Sequence, residues 1–314
     1  WANTLRLVGG LRLESAEYEV ESLTTTDAPV SSGFDESNVL PSLSATWFVT
    51  DQMQARVALG STISRPTLNE IGGDPGSNRR VRYRDPDTNE QFEGNPFLKP
   101  AEIDSLDARW EWFPSQGELV TAGFFLKDYT NALEEELQPT SSGTLRQVVN
   151  APEATVRGLE AEARLYLPTI MGSYNMSWDW AEMLYLQGNI ALIDSEVTIN
   201  NRTRRLQGQA DELLNLQVGY ETGAHDLTVA ANYTGERLSG VTREQNNGRK
   251  LPNVFEQPRT LVDIKYDYRW SDNVSVSAEV GNVLNEEVKE TQGGRTYERY
   301  EPGVDFDIGM KYRF

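Results

Sequence analysis

The sequence contains no cysteine among its 314 residues. Disulfide bonds, thiolate metal sites and a cysteine nucleophile are therefore excluded. It also has no run of about 18 apolar residues, which excludes a transmembrane helix but leaves strands free to cross a membrane. Basic residues are few, since 29 Lys and Arg stand against 48 Asp and Glu and the net charge is −19. Because phosphate binding needs concentrated positive charge, no nucleic-acid partner is expected.

Motifs of catalysis are missing as well. The sequence has no Gly-x-Ser-x-Gly elbow, no phosphate-binding loop and only one His, so no His-x-x-x-His pair. We therefore expect neither an enzyme nor a cofactor or metal site. Helical periodicity is also absent from every stretch, so no helix is predicted.

What the sequence has is alternation with a period of two. In the final segment GVDFDIGMKYRF, apolar residues occupy one parity and charged residues the other. The apolar members are Val304, Phe306, Ile308, Met310, Tyr312 and Phe314. The same segregation recurs in about twelve segments, most of them long enough to cross a bilayer at about 9–11 residues each. Period-two segregation with a charged second face is typical of strands between lipid and a wet lumen.

The connections between these segments alternate in length. Short ones lie near Asp51, Gly117, Gly223 and Asp272, and long polar ones lie near 64–101, 131–150, 235–257 and 285–297. Short turns at one end and long loops at the other are typical of an antiparallel transmembrane β-barrel, with periplasmic turns and extracellular loops. A soluble β-sandwich or propeller also alternates, but its strands are usually shorter, at about five or six residues.

Several segments together resemble one family, the TonB-dependent outer-membrane transporters. They are SRPTLNEI (Ser64–Ile71), GNPFLKP (Gly94–Pro100), VVNAPEATVRGLE (Val148–Glu160), VSAEVGNVLNEEV (Val276–Val288) and the aromatic C-terminus. Each segment alone is weak evidence for this family, but the order and spacing of the segments together are specific for it. The resemblance covers nearly the whole chain and corresponds to the C-terminal part of the family's barrel of about 22 strands. The plug domain is expected to be absent from residues 1–314.

The resemblance implies a function. It implies TonB-coupled active import, across the outer membrane of a Gram-negative bacterium, of a scarce bulky ligand such as a ferric siderophore or a saccharide. The implied partners are outer-membrane lipid and lipopolysaccharide, the TonB protein through a missing N-terminal part, the barrel-assembly machinery, and the nutrient ligand. The alternatives are a passive porin or adhesin barrel, and a soluble secreted β-rich carbohydrate-binding protein.

Two groups of residues are candidates for function. The basic patch RRVRYR and nearby aromatic residues could hold an anionic ligand, because guanidinium groups bind oxyanions and aromatic rings stack on sugars or catechols. These candidates are Arg79, Arg80, Arg82, Tyr83, Arg84, Phe92 and Tyr129. The alternative is a solvated loop balanced by nearby carboxylates. The resemblance also implies that Tyr312 and Phe314 form the C-terminal signal for barrel assembly.

Overall fold

The alternating segments form one large antiparallel sheet. The computed structural model describes residues 3–23, 28–74, 79–84, 91–140, 143–172, 179–199, 202–242 and 250–314. Within these residues twelve strands follow one another in chain order across the sheet. They are β1 Thr4–Leu23, β2 Pro29–Phe48, β3 Met53–Ser64, β4 Ala101–Trp112, β5 Leu119–Thr140, β6 Gly143–Tyr166, β7 Leu184–Ile199, β8 Glu212–Glu221, β9 His225–Thr234, β10 Arg259–Arg269, β11 Val274–Gly281 and β12 Asp305–Tyr312. This confirms the predicted all-β antiparallel fold.

The register keeps the apolar parities together across the sheet. Leu43 of β2 pairs with Leu59 of β3, Leu59 pairs with Leu106 of β4, and Leu106 pairs with Leu126 of β5. A slip of one residue would move a strand's apolar set to the opposite face, so the pattern itself specifies the register. β1 and β12 lie at the two ends of the strand order, which leaves the sheet open.

One end of the sheet carries the tight connections and is called here the short-turn end. It includes the turns from β2 to β3, from β4 to β5, from β8 to β9 and from β10 to β11. The connection from β6 to β7 lies at the same end and contains a short helix, α1 (Leu167–Gly172), and a 3-10 helix, Asp179–Met183. The prediction of no helix is therefore wrong at this connection. A six-residue helix spans fewer than two turns, too few to leave a period in the sequence.

None of the helices within the described ranges is long and apolar enough to span a membrane.

The opposite end, called here the loop end, contains more strand than the sequence predicted. Positions 131–150 were expected to form a loop, but β5 extends to Thr140 and β6 begins at Gly143, and the two strands pair from Thr140 and Gly143 to Leu119 and Arg164. The charge of Glu134, Glu135 and Glu136 concealed this extension. Strand formation depends on the surroundings more than on the residue itself, and here neighbouring loops supply pairing partners.

The other long connections at the loop end also contain short strands. These are Gly73–Asp74, Arg79–Arg80, Arg82–Arg84, Gln91–Glu93, Arg202–Arg204, Arg237–Gly240, Val254–Glu256, Val288–Gln292 and Arg295–Tyr300. The last two pair as a hairpin inside the stretch predicted as a loop at 285–297. Among the described residues, three of these short strands join the main sheet, namely Arg82–Arg84, Gln91–Glu93 and Arg202–Arg204, and the other six form a four-stranded and a two-stranded sheet.

The part of the β5–β6 hairpin beyond Asn131, called here the upper β5–β6 hairpin, lies at the centre of the loop end. Asn131 has a left-handed backbone (φ 58°), and Ala132 and Ala151 beyond it are buried with Ala154 and Val197 in an apolar cluster. One edge of the hairpin pairs with the segment Gln91–Glu93 through Leu145. The other edge receives the Val241 carbonyl at 2.7 Å from the Leu137 N–H. Two long connections are thereby held against the same hairpin.

Candidate functional site

One face of the sheet, called here the outward face, carries a broad apolar band; the opposite face is called the inward face. Large apolar side chains of one parity stay exposed on eleven of the twelve strands; Ile308 is 86% exposed and Leu216 is 45% exposed. The band includes Leu5, Leu7, Leu11, Trp47, Val57, Trp110, Phe124, Leu159, Leu186, Ile190, Leu214, Val218, Leu227, Val229, Tyr266, Phe306 and Met310. Soluble monomers rarely expose contiguous apolar patches of more than a few hundred Å². Such a band is typical of a surface that meets an apolar phase.

The inward face carries a polar ladder near the short-turn end. The Arg109 guanidinium lies 3.3 Å from a Glu111 carboxylate oxygen on its own strand and 3.3 Å from one of Glu162 on β6. Gln54 donates a hydrogen bond to Glu111, and Arg56 lies 3.8 Å from the same carboxylate. Charges that would be costly in lipid are thus paired with one another on the opposite side of the sheet.

The second half of the predicted basic patch belongs to a small hairpin at the loop end. Arg82–Arg84 pairs with Gln91–Glu93, and the rings of Tyr83 and Phe92 stack with centroids 5.0 Å apart. The Arg82 Nε donates to a Glu93 carboxylate oxygen at 2.6 Å. This ion pair offsets the charge of Arg82, as expected if the loop is balanced by nearby carboxylates. Tyr83 and Phe92 present a joint aromatic surface.

The remaining candidates of this group lie in two other places. The backbone of Arg79 and Arg80 pairs with Asp74 and Gly73, whereas the prediction about their side chains lies outside what the structure describes. Tyr129 lies on β5 and packs against the apolar cluster that contains Ala132. The structure therefore brings Arg82, Tyr83, Arg84 and Phe92 together on one hairpin and places Tyr129 apart from them. The ligand-binding role of the set stays a prediction.

The motif residues of the long connection 65–100 are structural. Gly94 packs so closely on Gly72 that a Cβ added at position 94 would lie 2.2 Å from the Gly72 carbonyl oxygen. The Asn95 N–H donates to the Glu70 carbonyl at 2.6 Å, and its side-chain amide donates to the Val148 carbonyl at 3.0 Å. Gly94 and Asn95 thus fold the connection and fasten it to β6.

The Arg-Pro motif fastens the beginning of the same connection. The Arg65 guanidinium donates to Glu14 of β1 at 2.8 Å and also to Glu36 of β2. All three side chains are largely shielded from solvent. One cation therefore holds the carboxylates of two neighbouring strands at the point where the chain leaves β3.

A buried ion pair at the loop end was not predicted from the sequence. The Arg204 Nη1 donates to a Glu134 carboxylate oxygen at 2.6 Å, and the Glu134 side chain is 4% exposed. Burial raises the pKa of the Glu134 carboxyl above its ordinary value, although the Arg204 guanidinium acts in the opposite direction. A single sequence gives little sign of this pair, because its members are 70 residues apart.

A cavity of about 940 Å³ adjoins this ion pair. Its walls come from the upper β5–β6 hairpin, the end of β7, the strand Arg202–Arg204 and the connection between β9 and β10. The lining residues are Glu136, Val149, Asn150, Ile199, Arg202, Thr203, Arg204, Val241, Thr242, Lys250 and Asn253. The sequence alone did not indicate this cavity, because its lining residues come from segments far apart along the chain.

At the short-turn end Glu118 ties α1 to the turn between β4 and β5. Its carboxylate accepts from the Ser115 hydroxyl at 2.7 Å and from the Tyr166 N–H at 2.8 Å, and its side chain is buried. Burial alone would raise the pKa of the Glu118 carboxyl, but hydrogen bonds from Thr169, Ser115 and the Tyr166 backbone outweigh it and lower the pKa below its ordinary value.

The terminal aromatic residues lie at the same end. Tyr312 ends β12 and Phe314 lies two residues beyond it; their ring centroids are 5.8 Å apart, and both side chains are exposed. Their role as an assembly signal stays a prediction.

Solved structures of similar fold include receptors and transporters. A mutant of the ferric enterobactin receptor PfeA from Pseudomonas aeruginosa matches at 15% identity and a TM-score of 0.59, over 99% of this chain and 45% of that one. The ferric-catecholate import receptor Fiu from E. coli matches at 16% and 0.64, over 99% and 42%. The copper transporter OprC matches at 16% and 0.70, over 100% and 46%. Identities this low bear on the fold alone.

The chain spans less than half the length of these solved structures. No curated protein matches it significantly. A family model described as "TonB dependent receptor-like, beta-barrel" matches residues 1–283. The chain therefore belongs to the family of TonB-dependent receptor β-barrels.

Proposed function

We propose that the full-length protein is an outer-membrane receptor that imports a scarce, bulky ligand by TonB-coupled transport. In this proposal the chain supplies barrel wall and extracellular ligand loops. The observation that carries it is the separation of faces: an exposed apolar band covers one side of the sheet, and paired charges such as Arg109 and Glu162 lie on the other. Lipid outside and a wet lumen inside require this arrangement.

The proposed partners follow from the same picture. Lipid and lipopolysaccharide surround the apolar band, TonB engages a part of the protein outside residues 1–314, and the barrel-assembly machinery recognises Tyr312 and Phe314. The loop end faces the outside of the cell and contacts the ligand. We infer a ferric siderophore, a saccharide or a similar bulky nutrient.

The first experiment tests location and barrel formation in the full-length protein. Membranes are separated on a sucrose gradient, and the protein is run on SDS gels with and without boiling. We expect it in the outer-membrane fraction, with a faster-migrating folded form in the unboiled sample. A protein that stays in the aqueous phase without detergent would favour a soluble carbohydrate-binding protein instead.

The second experiment separates active import from passive diffusion. Purified full-length protein is inserted into planar bilayers, and its conductance is recorded. A plugged receptor should show no steady open channel, whereas a porin should show one. Binding of the purified periplasmic domain of TonB, measured by calorimetry, is expected for the receptor and not for a porin or an adhesin.

A further inference from the structure

We propose that the 940 Å³ cavity at the loop end is a binding site for an oxyanion, meaning a ligand that carries several carboxylate or phosphate oxygens. The volume lies within the range of ligand pockets, about 300–1,000 Å³. Binding of such an anion does not depend on the proposed import. Only the statement that this anion is the imported ligand rests on the proposed function.

The charge of the cavity is opposite to that of the chain. Three of its lining residues are cationic, namely Arg202, Arg204 and Lys250, and one, Glu136, is acidic. Glu134 offsets the charge of Arg204, so the balance of three cations and two carboxylates is one positive charge. The chain as a whole has 29 basic and 48 acidic residues. A positive balance in so acidic a protein favours anions in this cavity over the surrounding surface.

The register directs these cations away from the apolar band. Arg202 pairs with Ile199 and Arg204 pairs with Val197. On β7, Val197 has the parity opposite to Leu186 and Ile190 of the apolar band, and it is fully buried in the apolar cluster with Ala154. Paired residues of antiparallel strands share a face. Arg202 and Arg204 therefore lie on the inward side, where a ligand passing the loop end would meet them.

The guanidinium of Arg204 is held in place but lacks one acceptor. Its Nη1 donates to Glu134 and to the Arg205 carbonyl, at 2.6 and 3.0 Å. Its Nη2 is enclosed and has no hydrogen-bond partner within the described residues. Nη2 is itself enclosed, so an anion in the cavity meets the charge of a guanidinium that is fixed in the wall, and not this donor.

The rest of the wall suits an organic anion. Val149, Ile199 and Val241 give it an apolar part, and Asn150, Thr242 and Asn253 add polar groups. The Asn253 side-chain oxygen accepts from the Thr242 N–H at 3.2 Å, which fixes the amide against the wall. A few fixed polar groups on an apolar wall are typical of small-molecule sites.

The test is calorimetry on the full-length protein in detergent at low salt. The probes are citrate for carboxylates, pyrophosphate for phosphates, and sucrose as an uncharged control. We expect citrate, pyrophosphate or both to bind, and sucrose not to bind. Binding of one anion alone identifies which oxyanion the site prefers. Absence of binding by both anions overturns the proposal.

The variants place the binding in the cavity. Arg202 and Lys250 are both exposed, so the double variant R202Q/K250Q should fold. It should bind the anion at least about tenfold more weakly, because two cationic hydrogen-bond donors are removed from the cavity wall. The matched control R299Q removes an exposed arginine that lies 3.6 Å from Glu287 in another hairpin, and it should bind like the parent protein.

Two further results would overturn the proposal: equal weakening in R202Q/K250Q and R299Q, or unchanged binding in R202Q/K250Q. A second variant, E134Q/R204Q, removes the buried pair without leaving a single charge and should also weaken binding. Failure of import is a separate result. A protein that binds citrate in this cavity but does not bind TonB would contradict the proposed function and leave the oxyanion site in place.

Discussion

The side chain of Asn150 pairs with the backbone of Lys99 in both directions. Its Oδ1 accepts from the Lys99 N–H at 2.8 Å, and its Nδ2 donates to the Lys99 carbonyl at 2.9 Å. The same Nδ2 group donates to the Asn131 carbonyl at 2.9 Å. One amide thus joins the end of the connection 65–100 to β6 and to the bend in β5.

Replacement of Asn150 should release this connection. N150L removes all three hydrogen bonds and should lower the free energy of unfolding by about 1–3 kcal/mol, because the backbone groups lose their partners. N150D keeps the acceptor for the Lys99 N–H and should have a smaller effect. Limited proteolysis between residues 65 and 100, together with thermal melting, measures both. Equal cleavage of N150L and the parent protein would contradict this role.

Arg65 should stabilise the start of the connection through its two carboxylate partners. R65Q removes the cation that bridges Glu14 and Glu36, and we expect a loss of about 1–3 kcal/mol in unfolding free energy. R12Q is the matched control, because Arg12 also pairs with Glu14 but its side chain is 74% exposed. Thermal melting should show a clear decrease for R65Q and little change for R12Q. A larger decrease in melting temperature for R12Q than for R65Q would contradict this role of Arg65.

Glu118 should make the stability of the folded protein depend on pH in the acid range. Its folded pKa lies below the ordinary value of 4.5, so its stabilisation is present above pH 4.5 and is lost as the pH falls through the folded pKa. E118Q should therefore be less stable than the parent at pH 7, and the gap should narrow in acid. E182Q, in the exposed 3-10 helix nearby, serves as control. Melting temperatures are measured from pH 7 to pH 3. A difference between parent and E118Q that stays constant over this range would refute the role of the Glu118 carboxylate.

The terminal aromatic residue should matter for assembly more than for the folded sheet. Phe314 is fully exposed, so its loss removes little packing. If the assembly machinery recognises it, F314S should reduce the amount of folded protein in the outer membrane, whereas R313S should not. Gel mobility without boiling measures the folded fraction. Normal assembly of F314S would remove Phe314 from the proposed signal.

The strands were predictable where each face has its own surroundings. Leu214, Leu216 and Val218 alternate with Asn215 and Gln217, and this alternation alone specifies both the strand and its faces. The extension of β5 through Glu134 was not predictable, since its burial depends on Arg204 in a distant segment. The cavity was hidden for the same reason. Sequence patterns describe neighbours along the chain, whereas the loop end is built from contacts between segments.

The most direct test is a cysteine scan of β8, in a stretch of 314 residues that contains no cysteine. Positions 213–218 are replaced one at a time, spin-labelled in the full-length protein reconstituted in lipid bilayers, and tested for collision with oxygen and with a water-soluble nickel chelate. We predict oxygen accessibility at Leu214, Leu216 and Val218 and nickel accessibility at Asn215 and Gln217, in opposite phase. Accessibility of both faces to nickel, with no period of two, would contradict the assignment of the apolar band to lipid.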